Sequence, residues 1–182
     1  MTVLKFAWMS IDGQQFRLVM MHQFSQGEFA KRSDEALDLI HRLWELNRGT
    51  RSLPSRSDFT LHDLRPVIHN VSFIGIECDA RGAVRYKIKF MGDGLVQVLG
   101  NHIGSFIQAS FDRRVAEKFR KHFGQVEAAA VPLRFSGTMT ELRRTHLQHR
   151  TLIAPLSDNG KFVDGHICSI FFGASEDVDV HP

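Results

Sequence analysis

Ten histidines in a chain of 182 residues are the first chemical signal, because imidazole serves both as a metal ligand and as an acid–base group near neutral pH. His146 and His149 stand three apart, a spacing that would bring two ligands together on a helix. On a strand, which the surrounding run predicts, it turns them to opposite faces. No second ligand pair lies near them in sequence, so no metal site is expected. Asp164 and His166 are the polar members of the last apolar run, and a general base would have to come from them if the chain were an enzyme. Gly92-Asp93-Gly94 follows a strand but lacks the third glycine of a dinucleotide fingerprint, and reads as a strand exit. The sequence holds no Gly-x-Ser-x-Gly elbow, no phosphate loop ending in Lys-Ser/Thr and no His-Glu-x-x-His. Cys78 and Cys168 are too few and too distant for a disulfide framework or zinc ribbon, and are expected to be small buried hydrophobes.

A net charge of +3 permits weak attraction to polyanions. The basic residues are spread along the chain, however, and the densest run, Arg143-Arg144 through His149-Arg150, has no aromatic stacking platform. A solvated loop is expected there, with no nucleic-acid partner. The apolar stretch Phe6-Ala7-Trp8-Met9 is far too short for a signal peptide, and no run approaches the length of a bilayer span. The expected location is the cytoplasm, with no membrane contact. A chain of this length can build one domain whose core needs neither metal nor disulfide.

Several elements must position these groups. Residues 1–32 have no clean period and read as an arm, or as an extension upstream of a start at Met20 or Met21. Ser33-Asp34-Glu35 offers a helix cap and first-turn acids, and Ala36, Leu37, Ile40, Leu43 and Trp44 recur at helical spacing up to Gly49. This predicts an amphipathic capping helix over 33–50. A domain over 51–173 and a tail over 174–182 follow. A short helix near Thr60 precedes two strands, Val71 to Cys78 and Val84 to Phe90, joined by Asp79-Ala80-Arg81-Gly82. Alternation along the second places Val84, Tyr86, Ile88 and Phe90 on one buried face. A long helix from Phe111 to Ala130 carries Val115, Phe119, Phe123 and Val126 as its stripe. Three strands close the chain, at Leu133 to Met139, Thr145 to Leu156 and Lys161 to Gly173.

Asn159-Gly160 between two apolar runs is a strong hairpin signal. A two-residue turn there groups Leu152, Ala154, Leu156, Val163, Ile167 and Phe171 on one face and Thr151, Ile153, Phe162, His166, Cys168, Ile170 and Phe172 on the other. Both faces are apolar, so both must be covered. The expectation is that the first face meets the long helix and that the second is capped by the helix of residues 33–47, from the same chain or from a partner. That cap contributes roughly 5–8 kcal/mol for three large apolar side chains, and points to a homodimer. The register turns Asp164 and His166 away from the long helix.

This order of elements is also that of a PAS domain. Leu53-Pro54-Ser55-Arg56-Ser57-Asp58-Phe59, Leu64-Arg65-Pro66 and Tyr86-Lys87-Ile88-Lys89-Phe90-Met91-Gly92 resemble a bacterial family of stand-alone PAS-like proteins. Gly100 with Ile103-Gly104-Ser105, and Ala154-Pro155-Leu156-Ser157-Asp158-Asn159-Gly160 followed by Val163-Asp164, resemble it too. The resemblance implies an α+β fold with a five-stranded antiparallel sheet, helices on one face and an N-terminal capping helix. It implies a sensory or regulatory role in bacterial signalling, often as a homodimer with a protein partner, and supplies no catalytic residues. Pocket candidates for a small apolar ligand are Ile74, Tyr86, Phe90, Phe119, Phe123 and Ile167. Candidates for the cap or dimer interface are Leu37, Ile40, Trp44, Ile153, Ile170 and Phe172. Haem-binding PAS domains take an axial histidine from the long helix, but His122 sits at the edge of the stripe, and the sequence requires no cofactor. The Asn-Cys-Arg-Phe motif of covalent flavin photochemistry is absent. The competing reading is a small isomerase or dehydratase with an apolar cavity on a cone-shaped α+β scaffold.

Overall fold

A computed structural model of the chain describes residues 7–11, 14–18, 26–139 and 144–174. A separate two-stranded ribbon, β1 (Ala7–Ile11) and β2 (Gln14–Leu18), precedes the long helix α1 (Gln26–Arg48). This helix starts earlier than the expected cap at Ser33, because Ser33 is satisfied from inside the helix. Its hydroxyl donates to the carbonyls of Phe29 at 2.7 Å and Ala30 at 2.9 Å.

A turn over Arg56–Asp58, a short helix α2 (Leu61–Leu64) and a turn over Ile68–Asn70 lead into β3 (Val71–Cys78) and β4 (Val84–Met91). Two small helices, α3 (Asp93–Leu99) and α4 (Ile107–Ser110), come before the long crossover helix α5 (Arg113–Ala129). Strands β5 (Leu133–Met139), β6 (Arg144–Leu156) and β7 (Gly165–Ala174) complete a five-stranded antiparallel sheet of order β4-β3-β7-β6-β5.

The centre strand, β7, is covered on both sides by its own chain. On one face α1 lays Leu37, Ile40 and Trp44, each at most 2% exposed, over Leu152, Ala154, Leu156 and Ile167. The Trp44 indole N–H donates to the Pro155 carbonyl at 2.7 Å, and Arg150 and Arg134 bind Asp34 and Asp38 of α1 across the sheet edge. Arg150 therefore belongs to the α1 docking and not to a solvated basic loop. Its neighbour Arg143 and the side chains of Arg144 and His146 lie outside the described residues. On the other face α5 packs Ala116, Phe123 and Val126 against Ile153, Cys168 and Ile170.

The alternation within the ribbon is as the sequence implies, but the faces are exchanged. β6 and β7 pair Leu156 with Gly165 and Ala154 with Ile167, so Ile167 lies under α1 and not in the α5 core. Ile153, Ile170 and Phe172 face α5 and not the cap. A helix packs closely over small residues, and Ala154 and Ser169 give the α1 face that flatness. The Asn159-Gly160 turn is not the end of the ladder. Asn159 Oδ1 accepts from the amides of Lys161 and Phe162, while Asp158 binds the Ser55 hydroxyl and the Arg56 amide, giving an eight-residue loop (157–164) tied to the lead-in segment.

Phe90 also changes sides. Phe73 pairs with Phe90 and Ile74 with Ile88, which leaves Lys89 as an unopposed bulge residue. Tyr86 and Ile88 consequently face α5, while Phe90 turns to Phe73 on the α1 side. Cys168 is buried as expected, whereas Cys78 ends β3 in solvent.

Trp44→Ala removes the largest side chain from under α1 and the Pro155 hydrogen bond together. The expected loss is about 3–5 kcal/mol in chemical denaturation, and a change below about 1 kcal/mol would show that α1 docking is not what holds this face.

Candidate functional site

Between α5 and the far end of the sheet the packing leaves a cavity of about 70 Å³. Its walls come from five elements: Leu99 at the end of α3; Val115, Lys118, Phe119 and His122 of α5; Thr138 and Met139 of β5; His149, Thr151 and Ile153 of β6; Ile170 and Phe172 of β7. The α5 residues come together because positions three and four apart share one face of a helix. Those on β6 and β7 come together because alternate residues share one face of a strand. The floor is apolar, and the polar groups are Lys118 and His122 on neighbouring turns of α5, Thr138 near the end of β5, and His149 and Thr151 of β6. His149 lies opposite Gly137, whose missing side chain leaves room for the imidazole, and His149 Nδ1 stands 3.0 Å from the Thr151 hydroxyl. His122 stacks on Phe135 of β5, with ring centres 4.1 Å apart and planes 18° apart. It is half-buried and turned to the cavity wall, more enclosed than its position at the stripe edge suggests.

An aromatic row runs along α5 from this cavity into the core. Phe111 meets Phe119 at 5.6 Å, Phe119 meets Phe123 at 6.0 Å, and Phe123 meets both Tyr86 and His166 at 4.7 Å. The row ends on a polar group that the sequence places on the wrong face. His166 points toward α5, fully buried, with its ring stacked on Phe123. Neither ring nitrogen has a hydrogen-bond partner among the described residues, and Nε2 stands 3.5 Å from Glu127 Oε1. The Tyr86 hydroxyl donates to the same carboxylate oxygen at 3.0 Å. Burial pushes the His166 pKa down to about 3 and raises that of Glu127, and burial with the Glu127 charge raises that of Tyr86. Asp164 takes no part in this group, since its carboxylate accepts from the Asp158 amide and the Asn159 side chain within the β6–β7 loop.

The model of the PAS_5 family, described as a PAS domain, matches residues 32–167, a span that runs from α1 into β7. The chain belongs to the PAS domain family. PAS domains are sensory and regulatory modules, and that general role is this chain's. A solved structure entitled the light state structure of the blue-light photoreceptor Aureochrome1 LOV is similar to it at a TM-score of 0.38 and 14% identity, covering 65% of this chain and 91% of that one. No curated protein matches.

Of the six pocket candidates named from the sequence, only Phe119 lines the cavity of this PAS domain. Ile74, Tyr86 and Phe123 lie on the α5 side as closed core, and Phe90 and Ile167 lie across the sheet. Ile153, Ile170 and Phe172, expected under the cap, are cavity walls instead. Glu127 was not legible as a partner of His166, because neither residue is near the other in sequence and helix periodicity marks Glu127 as surface. No group of three potential metal ligands occurs among the described residues, and no helix there is long and apolar enough to cross a membrane.

The buried histidine has a consequence for acid stability. Its pKa is about 3 folded against 6.5 for the free side chain, so between these values the unfolded chain takes up the proton first. Stability is therefore full above about pH 6.5 and falls as pH drops toward 3, by as much as roughly 4–5 kcal/mol. The raised pKa of Glu127 acts in the opposite sense and softens the fall. His166→Leu should flatten the slope in acid unfolding titrations across this window. Parallel slopes in wild type and variant would show that His166 is not the group responsible.

Proposed function

We propose that this PAS domain is a non-catalytic sensor that admits a small, largely apolar molecule between α5 and strands β5–β7. In this reading occupancy alters the packing of the sheet against α1 and so the surface offered to a partner protein. The supporting observation is the cavity itself, a void among large side chains in a core that elsewhere closes on both faces. Its volume suits one ring or a short alkyl chain, well below the roughly 300–1,000 Å³ of drug-sized sites. The enzyme reading has an acid–base pair in Glu127 and His166, but none of the residues that line the cavity is Tyr86, Glu127 or His166. Substrate in the cavity would not reach that pair.

A homodimer belongs to this proposal on different grounds from those the sequence suggests. Of the two expected sources of the cap, the same chain or a partner, α1 of the same chain covers the sheet face of Leu152, Ala154 and Ile167. What α1 leaves outward is a second stripe, half-buried Leu39 and Leu43 with Leu46 at 75% exposure, at the 3–4 spacing of a helix–helix seam. Light scattering at micromolar concentration should give twice the chain mass, and Leu46→Lys should shift it to the monomer. A wild-type monomer would remove the dimer from the proposal.

Filling the cavity tests the sensor reading. Ile153→Phe places a ring in the void while keeping the wall apolar. A bound small molecule at 100 times its dissociation constant stabilises the wild type by about 2.7 kcal/mol, a melting-temperature rise of roughly 5–10 °C. The rise should be absent in Ile153→Phe, and a native mass spectrum of the wild type should show the added mass. Equal responses in the two proteins would mean that the cavity is not the site.

A further inference from the structure

We propose that the acidic segment at residues 175–182 docks on the outward face of α5 of its own chain, held by Arg114 and Lys121. The inference is independent of the cavity being a ligand site. Two observations carry it, an unbalanced patch of positive charge and a run of acids tethered beside it. From Asp112 to Lys121 the start of α5 sets five cations against two acids. Both acids are taken: the Asp112 carboxylate accepts from the Val115 amide, and Glu117 binds Arg113 at 3.0 Å. Lys118 is engaged as well. Arg114 and Lys121 are exposed, with no acidic partner among the described residues. They are seven residues apart, which puts them two turns along one face at a separation of about 10 Å. The first turn of α5 holds no acid, so its arginines stand at the positive end of the helix dipole, and an anion there relieves both charges.

Residues 175–182, outside the described residues, read Ser-Glu-Asp-Val-Asp-Val-His-Pro. They hold three acids and no lysine or arginine, and the chain's net charge is +3 with those acids and +6 without them. The point of attachment decides which cations they meet. Phe123 stacks on His166 at the start of β7, while Val115 and Lys118 share the cavity wall with Ile170 and Phe172 toward its end. α5 therefore runs against β7, and its first turns lie beside Ala174, where the strand stops. Eight further residues reach roughly 26 Å when extended, more than the roughly 10–12 Å width of a helix. The three steps from Glu176 to Asp179 span about 10 Å, which matches the separation of Arg114 and Lys121. The other element at this end of β7 is the start of α1, where Gly173 lies against Phe29. There Glu28, Asp34, Glu35 and Asp38 outnumber Lys31 and Arg32, which disfavours an acidic chain.

A nitroxide on the acidic segment tests this in the full chain, attached at Val178→Cys in a Cys78→Ser background, since Cys168 is buried away from the reagent. In nuclear magnetic resonance spectra the label should erase the amide signals of Arg114, Glu117 and Lys121 and spare those at the start of α1. The signals should return in 1 M salt, where the Debye length falls to about 3 Å. They should also return when the segment is neutralised (Glu176→Gln, Asp177→Asn, Asp179→Asn), or when the face is (Arg114→Gln, Lys121→Gln). A loss centred on Lys31 and Arg32, a loss that persists with the segment neutralised, or no loss at all would overturn the proposal. Mixing spin-labelled chain with isotope-enriched chain that carries no label separates the two sources of the segment. Undiminished signals in the mixture support docking within one chain, and the same loss in the mixture would place the segment on a second copy and overturn it.

Discussion

Two-sided burial of β7 is the constraint on which the rest of the molecule depends. From His166 to Ile170 no residue of this strand is more than 8% exposed, so the centre of the sheet cannot exist without a layer on each face. An antiparallel sheet with one wet face would alternate apolar and polar residues, and this one does not. The chain meets the demand with α1 on one side and α5 on the other. The two helices do so with different materials. Under α1 the contact centres on Leu37, Ile40 and Trp44, closed by the Trp44 hydrogen bond and by ion pairs at the sheet edge. Under α5 it is aromatic and irregular, and this is where the void is left.

Much of the architecture was readable from periodicity alone. The α5 stripe, the β3–β4 hairpin with Gly82 at positive φ, and the parity of the β6–β7 ribbon all stand as the residues imply. Parity, however, states which residues share a face and not which helix lies over it. A strand apolar on both sides carries no local mark of its inner surface, and Ile153, Ile170, Ile167 and His166 were all assigned to the wrong layer for that reason. Phe90 failed through a different cause, since the bulge at Lys89 breaks the alternation with no glycine or proline on β4 next to it, the nearby glycine being Gly75 of the partner strand. The start of α1 was hidden by Ser33, a good cap residue that here bonds back into its own helix.

The polar core at His166 is a departure from economical packing. A buried imidazole whose nitrogens lack hydrogen bonds is destabilising, and an aliphatic residue of similar size would relieve it. The position is bordered by the Glu127 carboxylate and by the Tyr86 hydroxyl, so the α5 layer holds a group sensitive to protons at one end and a void at the other. Phe119 and Phe123 of the aromatic row lie between them, and Phe123 stacks on His166.

Trp44 gives the sheet an optical consequence. The chain has two tryptophans, Trp8 and Trp44, and Trp44 lies on the face opposite the cavity, its indole fixed to the Pro155 carbonyl. In a protein with Trp8 replaced by phenylalanine, emission would come from Trp44 alone. A molecule entering under α5 touches none of that fluorophore's surroundings, so any change in its colour or lifetime would report strain that had crossed the full thickness of the sheet.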